Sequence, residues 1–110
     1  MKVSKEVEKK IMELQIMEQN LQNIISQKQS FQGQFLEVEN AVNELKNTKD
    51  DVYKVIGSVM VKSSNEKLLK ELEEKKEILE LRIKNIDKQE KNIREKANEM
   101  QKDVMKAIEK

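Results

Sequence analysis

Val52-Tyr53-Lys54-Val55-Ile56-Gly57-Ser58-Val59-Met60-Val61-Lys62 is the stretch on which the reading of this fold turns. It is dense in β-branched residues and holds the only tyrosine of the chain, a composition that favours strand over helix. Gly57-Ser58 has the chemistry of a two-residue hairpin turn with glycine first. The segment therefore reads as a β-hairpin over about 52–62, with Ile56 opposite Val59 and Val55 opposite Met60. The competing reading is one longer strand kinked at Gly57. Alternation places Val55 and Met60 on one face and Ile56, Val59 and Val61 on the other, so apolar residues occupy both faces. An isolated hairpin is marginal in water, and its two open edges invite pairing with other chains. The economical outcome is that several copies merge their hairpins into a shared sheet or barrel. Folding of the hairpin onto its own helices would cover one face only. The candidate assembly residues are Tyr53, Val55, Ile56, Gly57, Val59, Met60 and Val61.

Outward from the hairpin, both flanks turn helical. Asn47-Thr48-Lys49-Asp50-Asp51 has poor helix propensity and stops the first helix. Before it, one heptad position reads Val7, Leu14, Leu21, Lys28, Phe35 and Val42, and the position three residues on reads Lys10, Met17, Ile24, Phe31, Val38 and Leu45. The three-four spacing is unbroken from Met17 to Leu45 except at Lys28, which marks a coiled-coil seam. Ile11 and Ile25 flank and widen it. After the hairpin, Ser63-Ser64-Asn65-Glu66 has the form of a capping box, with Ser63 as cap and Glu66 reaching back. The second stripe follows: Leu72, Leu79, Ile86, Ile93, Met100 and Ala107 at one position, and Leu69, Lys76, Ile83, Glu90, Ala97 and Val104 at its partner.

The predicted fold is thus mainly α, one domain over 1–110, with a helix over about 4–48, the hairpin, and a helix over about 64–109. Each helix has about 45 residues, roughly 65–70 Å at 1.5 Å rise per residue. The short connector returns the chain alongside itself, so the helices pair as a long antiparallel two-helix coiled coil, with Leu45 near Leu69, and Val7 and Ile11 near Met100 and Val104. Composition agrees. Charged residues make up 39%, aromatics 3%, there is no proline, and glycine occurs only at Gly33 and Gly57. Such a mixture builds seams rather than a compact core.

The same composition narrows the chemistry. Without histidine or cysteine the commonest general base and the usual transition-metal ligands are missing, and disulfides are excluded. Acidic pairs such as Glu73-Glu74 sit in lysine-rich sequence, with Glu73 to Glu77 and Lys76 to Glu80 at the spacing of a solvated helix face. No glycine-rich loop could cradle phosphate. The reading is a protein that is not an enzyme and takes no cofactor. Acids and bases nearly cancel, at a formal net charge of +1, and no run of five like charges occurs. That argues against a nucleic-acid face. No apolar stretch approaches the roughly 18 residues of a membrane span. The first residues turn charged too soon for a signal peptide, so a cytoplasmic location is expected.

What remains to explain is apolar. Val3, Val7, Ile11, Met12 and Ile16 accompany Met100, Val104, Met105 and Ile108 near the open end of the paired helices. Met12 and Met105 fall outside the two stripes. Methionine is flexible and polarisable and recurs where varied apolar partners are bound. Val3, Val7, Ile11, Met12, Met100, Val104, Met105 and Ile108 are therefore the candidate residues for binding apolar partners, against the simpler reading of fraying ends with stray apolar side chains.

Helix, hairpin and helix, with Val52 to Lys62 followed by Leu68-Leu69-Lys70-Glu71-Leu72-Glu73-Glu74-Lys75-Lys76-Glu77, resembles the beta subunits of archaeal prefoldin. The resemblance spans nearly the whole chain and is most specific over Val52 to Arg82; one hairpin rather than two matches the beta type instead of the alpha type. It implies a hexamer of two alpha and four beta subunits, hairpins joined in a β-barrel, and coiled coils hanging from it. It also implies an ATP-independent chaperone that holds unfolded polypeptides at the coiled-coil ends and passes them to a group II chaperonin. A structural coiled-coil spacer that docks one fixed partner is the alternative reading.

Overall fold

The computed structural model describes residues 4–109. Among them the order is α1 (Lys5–Asn47), β1 (Val52–Ile56), β2 (Val59–Ser63) and α2 (Asn65–Glu109). Ser4 caps α1: its Oγ accepts from the Val7 amide at 3.2 Å, and its carbonyl accepts from the Glu8 amide at 3.0 Å. Glu6 and Glu8 in the first turn and Lys46 in the last suit the helix dipole at each end. The far end of α1 is closed from outside. The Asn65 side-chain amide donates to the carbonyls of Leu45 at 2.9 Å and Thr48 at 3.2 Å, satisfying acceptors that a helix end otherwise leaves open.

The cap of α2 differs from the expectation. Ser63 is the last residue of β2, paired opposite Val52, and is therefore not free to cap. Ser64 does so instead, its Oγ accepting from the Lys67 amide at 3.2 Å. The residue three beyond this cap is Lys67 rather than Glu66, so no carboxylate returns the bond and the capping box is not formed. Ser64→Ala should lower stability by about 1 kcal/mol and Ser63→Ala by a few tenths at most. Chemical denaturation of the two variants checks the assignment.

The two heptad stripes are the less exposed positions of both helices, with Lys10 and Ala107 as the exposed exceptions. Ile11 and Ile25, at their flank, are half-buried as well. Contacts group the chain into two units. One comprises Ser30–Ile83. Its core is Val38, Val42 and Leu79, with Phe31, Phe35, Leu69 and Leu72 packed against it. The seam's charged interruption here, Lys76, lies 5.6 Å from the Phe35 ring centroid and 3.7 Å from Glu39, while Arg82 lies 5.8 Å from that of Phe31. Both are cation–π distances, so these long side chains cover the aromatic edge of the core instead of interrupting it.

The other unit takes the two chain-end stretches, up to Gln29 and from Lys84. Val7, Ile86 and Val104 are buried in it. Lys28 occupies a seam position there, with its Nζ 2.6 Å from Asp87 and 3.5 Å from Glu90. Among the described residues no helix is long and apolar enough to cross a membrane.

Candidate assembly and binding surfaces

The hairpin has the expected register: Ile56 pairs with Val59, Val55 with Met60, Lys54 with Val61, Tyr53 with Lys62 and Val52 with Ser63. Gly57 adopts φ 61°, and no other described residue has positive φ. Positive φ at the first central residue alone is the type II′ turn, whose twist matches that of the flanking strands. The chain therefore forms two strands, not one kinked strand. Val52, at the base, is the one buried residue of the pair of strands. Tyr53, Val55, Ile56, Val59, Met60 and Val61 are all exposed, from 46% for Val61 to 66% for Met60. Neither face is covered by the chain's own helices. Six exposed apolar side chains on ten strand residues exceed the scatter of single apolar residues normal on a protein surface.

Two ion pairs lie beside the hairpin, one of them to α2. Lys54 shares a face with Ile56, Val59 and Val61, and its Nζ donates to Glu71 of α2 at 2.8 Å. That hydrogen bond and the ammonium charge hold the Glu71 carboxyl below its ordinary value. On the other face Lys62 lies 3.6 Å from Asp51. Both pairs are solvent-exposed and aim the hairpin more than they stabilise it.

The second surface belongs to the unit built from the chain ends, and the sequence-predicted cluster divides there. Val7 and Val104 are buried in the seam, and Ile11 and Met100 are half-buried. Met12 (63%), Ile16 (57%), Met105 (54%) and Ile108 (41%) are exposed. Val3 lies outside the described residues. Along α2, Asn98, Gln101, Lys102, Met105, Lys106 and Glu109 line an open groove of about 450 Å³. Intrachain pairing thus uses part of the apolar cluster and leaves four large side chains to solvent.

Two features of the structure were missed in the sequence. Leu36, Ile78 and Leu81 are exposed large apolar residues that lie outside both stripes, and that departure was the available signal. The other is the pairing of Lys28 with Glu90; Lys28 is the one charged residue of its heptad row and Glu90 the one acidic residue of its own, which also holds Lys76, and these opposite signs were the signal. Among the described residues no group of three or more metal-ligating side chains converges.

Comparison with known proteins agrees with this architecture. The family model for prefoldin subunits matches residues 8–110. The prefoldin beta subunit of Archaeoglobus fulgidus is 38% identical over 98 residues, covering 87% of this chain and 84% of the relative. That of Methanospirillum hungatei is 38% identical over 109 residues, covering 97% and 91%. The crystal structure of the prefoldin beta subunit from Thermococcus strain KS-1 superposes with a TM-score of 0.89 at 31% identity, covering 96% of this chain and 95% of the other. With sequence, hairpin topology and helix pairing in agreement over nearly its whole length, the chain belongs to the prefoldin family of chaperone subunits, in the beta class.

Proposed function

We propose that this chain is one subunit of an ATP-independent holdase that captures unfolded polypeptides at the ends of its coiled-coil arms and delivers them to a group II chaperonin. The observation that carries the reading is the exposure of Met12, Ile16, Met105 and Ile108 beside a seam that already buries Val7 and Val104. Side chains not needed for helix pairing are free to grip apolar segments of a client. Methionine adapts to many shapes, which suits a site that must accept unrelated sequences.

The exposed hairpin supports the assembly half of the proposal. Tyr53, Val55, Ile56, Val59, Met60 and Val61 would be buried between neighbouring subunits, Gly57 holding the turn, in a barrel of two alpha and four beta chains. Each arm then needs only weak affinity. Several ends acting on one client raise the effective concentration of each contact, so avidity exceeds any single affinity by about 10²–10⁴.

The reading and its alternative, a spacer that docks one fixed partner, separate on client range. Assembled with a prefoldin alpha subunit, the chain should suppress light scattering from two aggregating proteins of unrelated sequence and fold, without nucleotide. Suppression of neither, together with tight binding to one folded partner, would favour the spacer.

A further inference from the structure

We infer that the charge cluster of Lys28, Asp87 and Glu90 selects the partner and the register of the arm, making α1 pair with α2 of its own chain in one alignment. Lys28 stands where the same heptad row otherwise holds Leu14, Leu21, Phe35 and Val42, and Glu90 stands in the row of Leu69, Ile83 and Val104. Both side chains are largely covered, at 24% and 18% exposed. They meet each other across the two helices at 3.5 Å, and Lys28 adds the shorter 2.6 Å contact to Asp87. The other oxygen of Glu90 lies 3.6 Å from Arg94. Among the described residues no buried side-chain polar atom is left without a partner. In this alignment Lys28 meets two carboxylates of α2 at once.

Apolar heptads alone would not fix that alignment, because neighbouring heptads present similar residues to one another. Slid by one heptad, Lys28 would face Ile83 or Ala97 in place of Glu90, and Glu90 would face Leu21 or Phe35. Lys28 and Glu90 would then each lose the partner across the seam at a largely covered position, which is strongly disfavoured, and Glu90 would keep only Arg94 of its own helix. Pairing like helices of two copies, parallel and in register, would set Lys28 against Lys28 and Glu90 against Glu90. Like charges at covered positions discriminate against such partners. The Lys28 amine is held above its ordinary value, first by its hydrogen bond to Asp87 and further by the charges of Asp87 and Glu90. Lys28 thus keeps its charge through the neutral range. Its consequence matters wherever copies of this chain stand close together, since helices with interchangeable seams could otherwise exchange partners. The inference does not depend on what the arm ends bind.

The absence of cysteine makes introduced cysteines unambiguous reporters in the full-length chain. The contact of Lys28 with Glu90 places Leu21 opposite Ala97, one heptad nearer the chain ends, whereas Leu21 and Val104 approach only if the helices slide. Oxidation of Leu21→Cys/Ala97→Cys should close within the chain, and Leu21→Cys/Val104→Cys should scarcely close, since a disulfide needs Cα atoms within about 7 Å. With Lys28→Leu and Glu90→Leu added, slipped and interchain products should rise about tenfold or more while helix content is kept. In separate charge variants, Lys28→Glu alone should scramble the products, and Lys28→Glu with both Asp87→Lys and Glu90→Lys should restore the single intrachain product by reversing the pair of signs across the helices. Selectivity retained by the apolar double variant would overturn the inference, as would failure of the reversed pair to restore it.

Discussion

Ile56→Asp combined with Val59→Asp is expected to abolish assembly while leaving the two helices folded. The two side chains are direct cross-strand partners beside the Gly57-Ser58 turn, and both are more than half exposed in the single chain. Two carboxylates there face water in the isolated subunit, so the helices lose nothing. The hairpin itself weakens modestly from like charges placed opposite each other, by about 0.2–1 kcal/mol. Burial between subunits is a different matter. An ionised carboxylate covered without a partner carries an effective penalty of several kcal/mol, applied twice per chain. Sedimentation of the variant mixed with an alpha subunit should show separated subunits, with helical circular dichroism unchanged. An assembly of native size would remove the hairpin from this role.

Leu79→Ala should lower the stability of the helical pair by about 2–5 kcal/mol, the usual range for a large-to-small change in a core. Leu79 is 1% exposed, the most completely buried side chain described. It packs with Val38 and Val42, and Phe31, Phe35, Leu69 and Leu72 surround that cluster. A cavity at this point loses contacts from both helices at once, and a chain with few large apolar residues has little with which to refill it. Glu80→Ala, one residue on and exposed, should change stability by about 0.5 kcal/mol or less. Urea titration compares the two. Equal shifts in midpoint would mean that the seam runs along a different face.

Why some of this was legible in sequence, and some not, follows from the range of the forces involved. The hairpin register depended on alternation and on a turn that only a positive-φ residue at Gly57 allows, both local properties. The seams were equally local, since three-four spacing fixes a helix face whatever packs on it. The cap was misplaced by one residue because strand pairing extends through Ser63, and cross-strand hydrogen bonding outweighs a side-chain cap. Lys28 read as an interruption because its partners lie about 60 positions away; only the alignment of the returning helix brings Asp87 and Glu90 to it. The apolar ends read as one cluster because composition counts side chains without direction. The heptad itself separates them. Val7 and Val104 lie in the stripes and are buried, whereas Met12, Ile16, Met105 and Ile108 lie outside and are exposed.

That separation allows the client site to be altered without cutting into the seam. Met12→Gln, Ile16→Gln, Met105→Gln and Ile108→Gln keep helix propensity and change side chains that contribute little to folding. If those four residues grip a client, each contributes on the order of 1–2 kcal/mol before ordering costs, multiplied over the arms that engage one polypeptide. The most direct measurement is light scattering from an unfolding client in the presence of the native or the fourfold variant assembly, at low salt and at 1 M salt. Native assembly should protect at both, because apolar contacts persist when the Debye length falls to about 3 Å, and the variant should protect at neither. Full protection by the variant would contradict capture at the arm ends, and loss of native protection in high salt would show that charge, not apolar surface, holds the client.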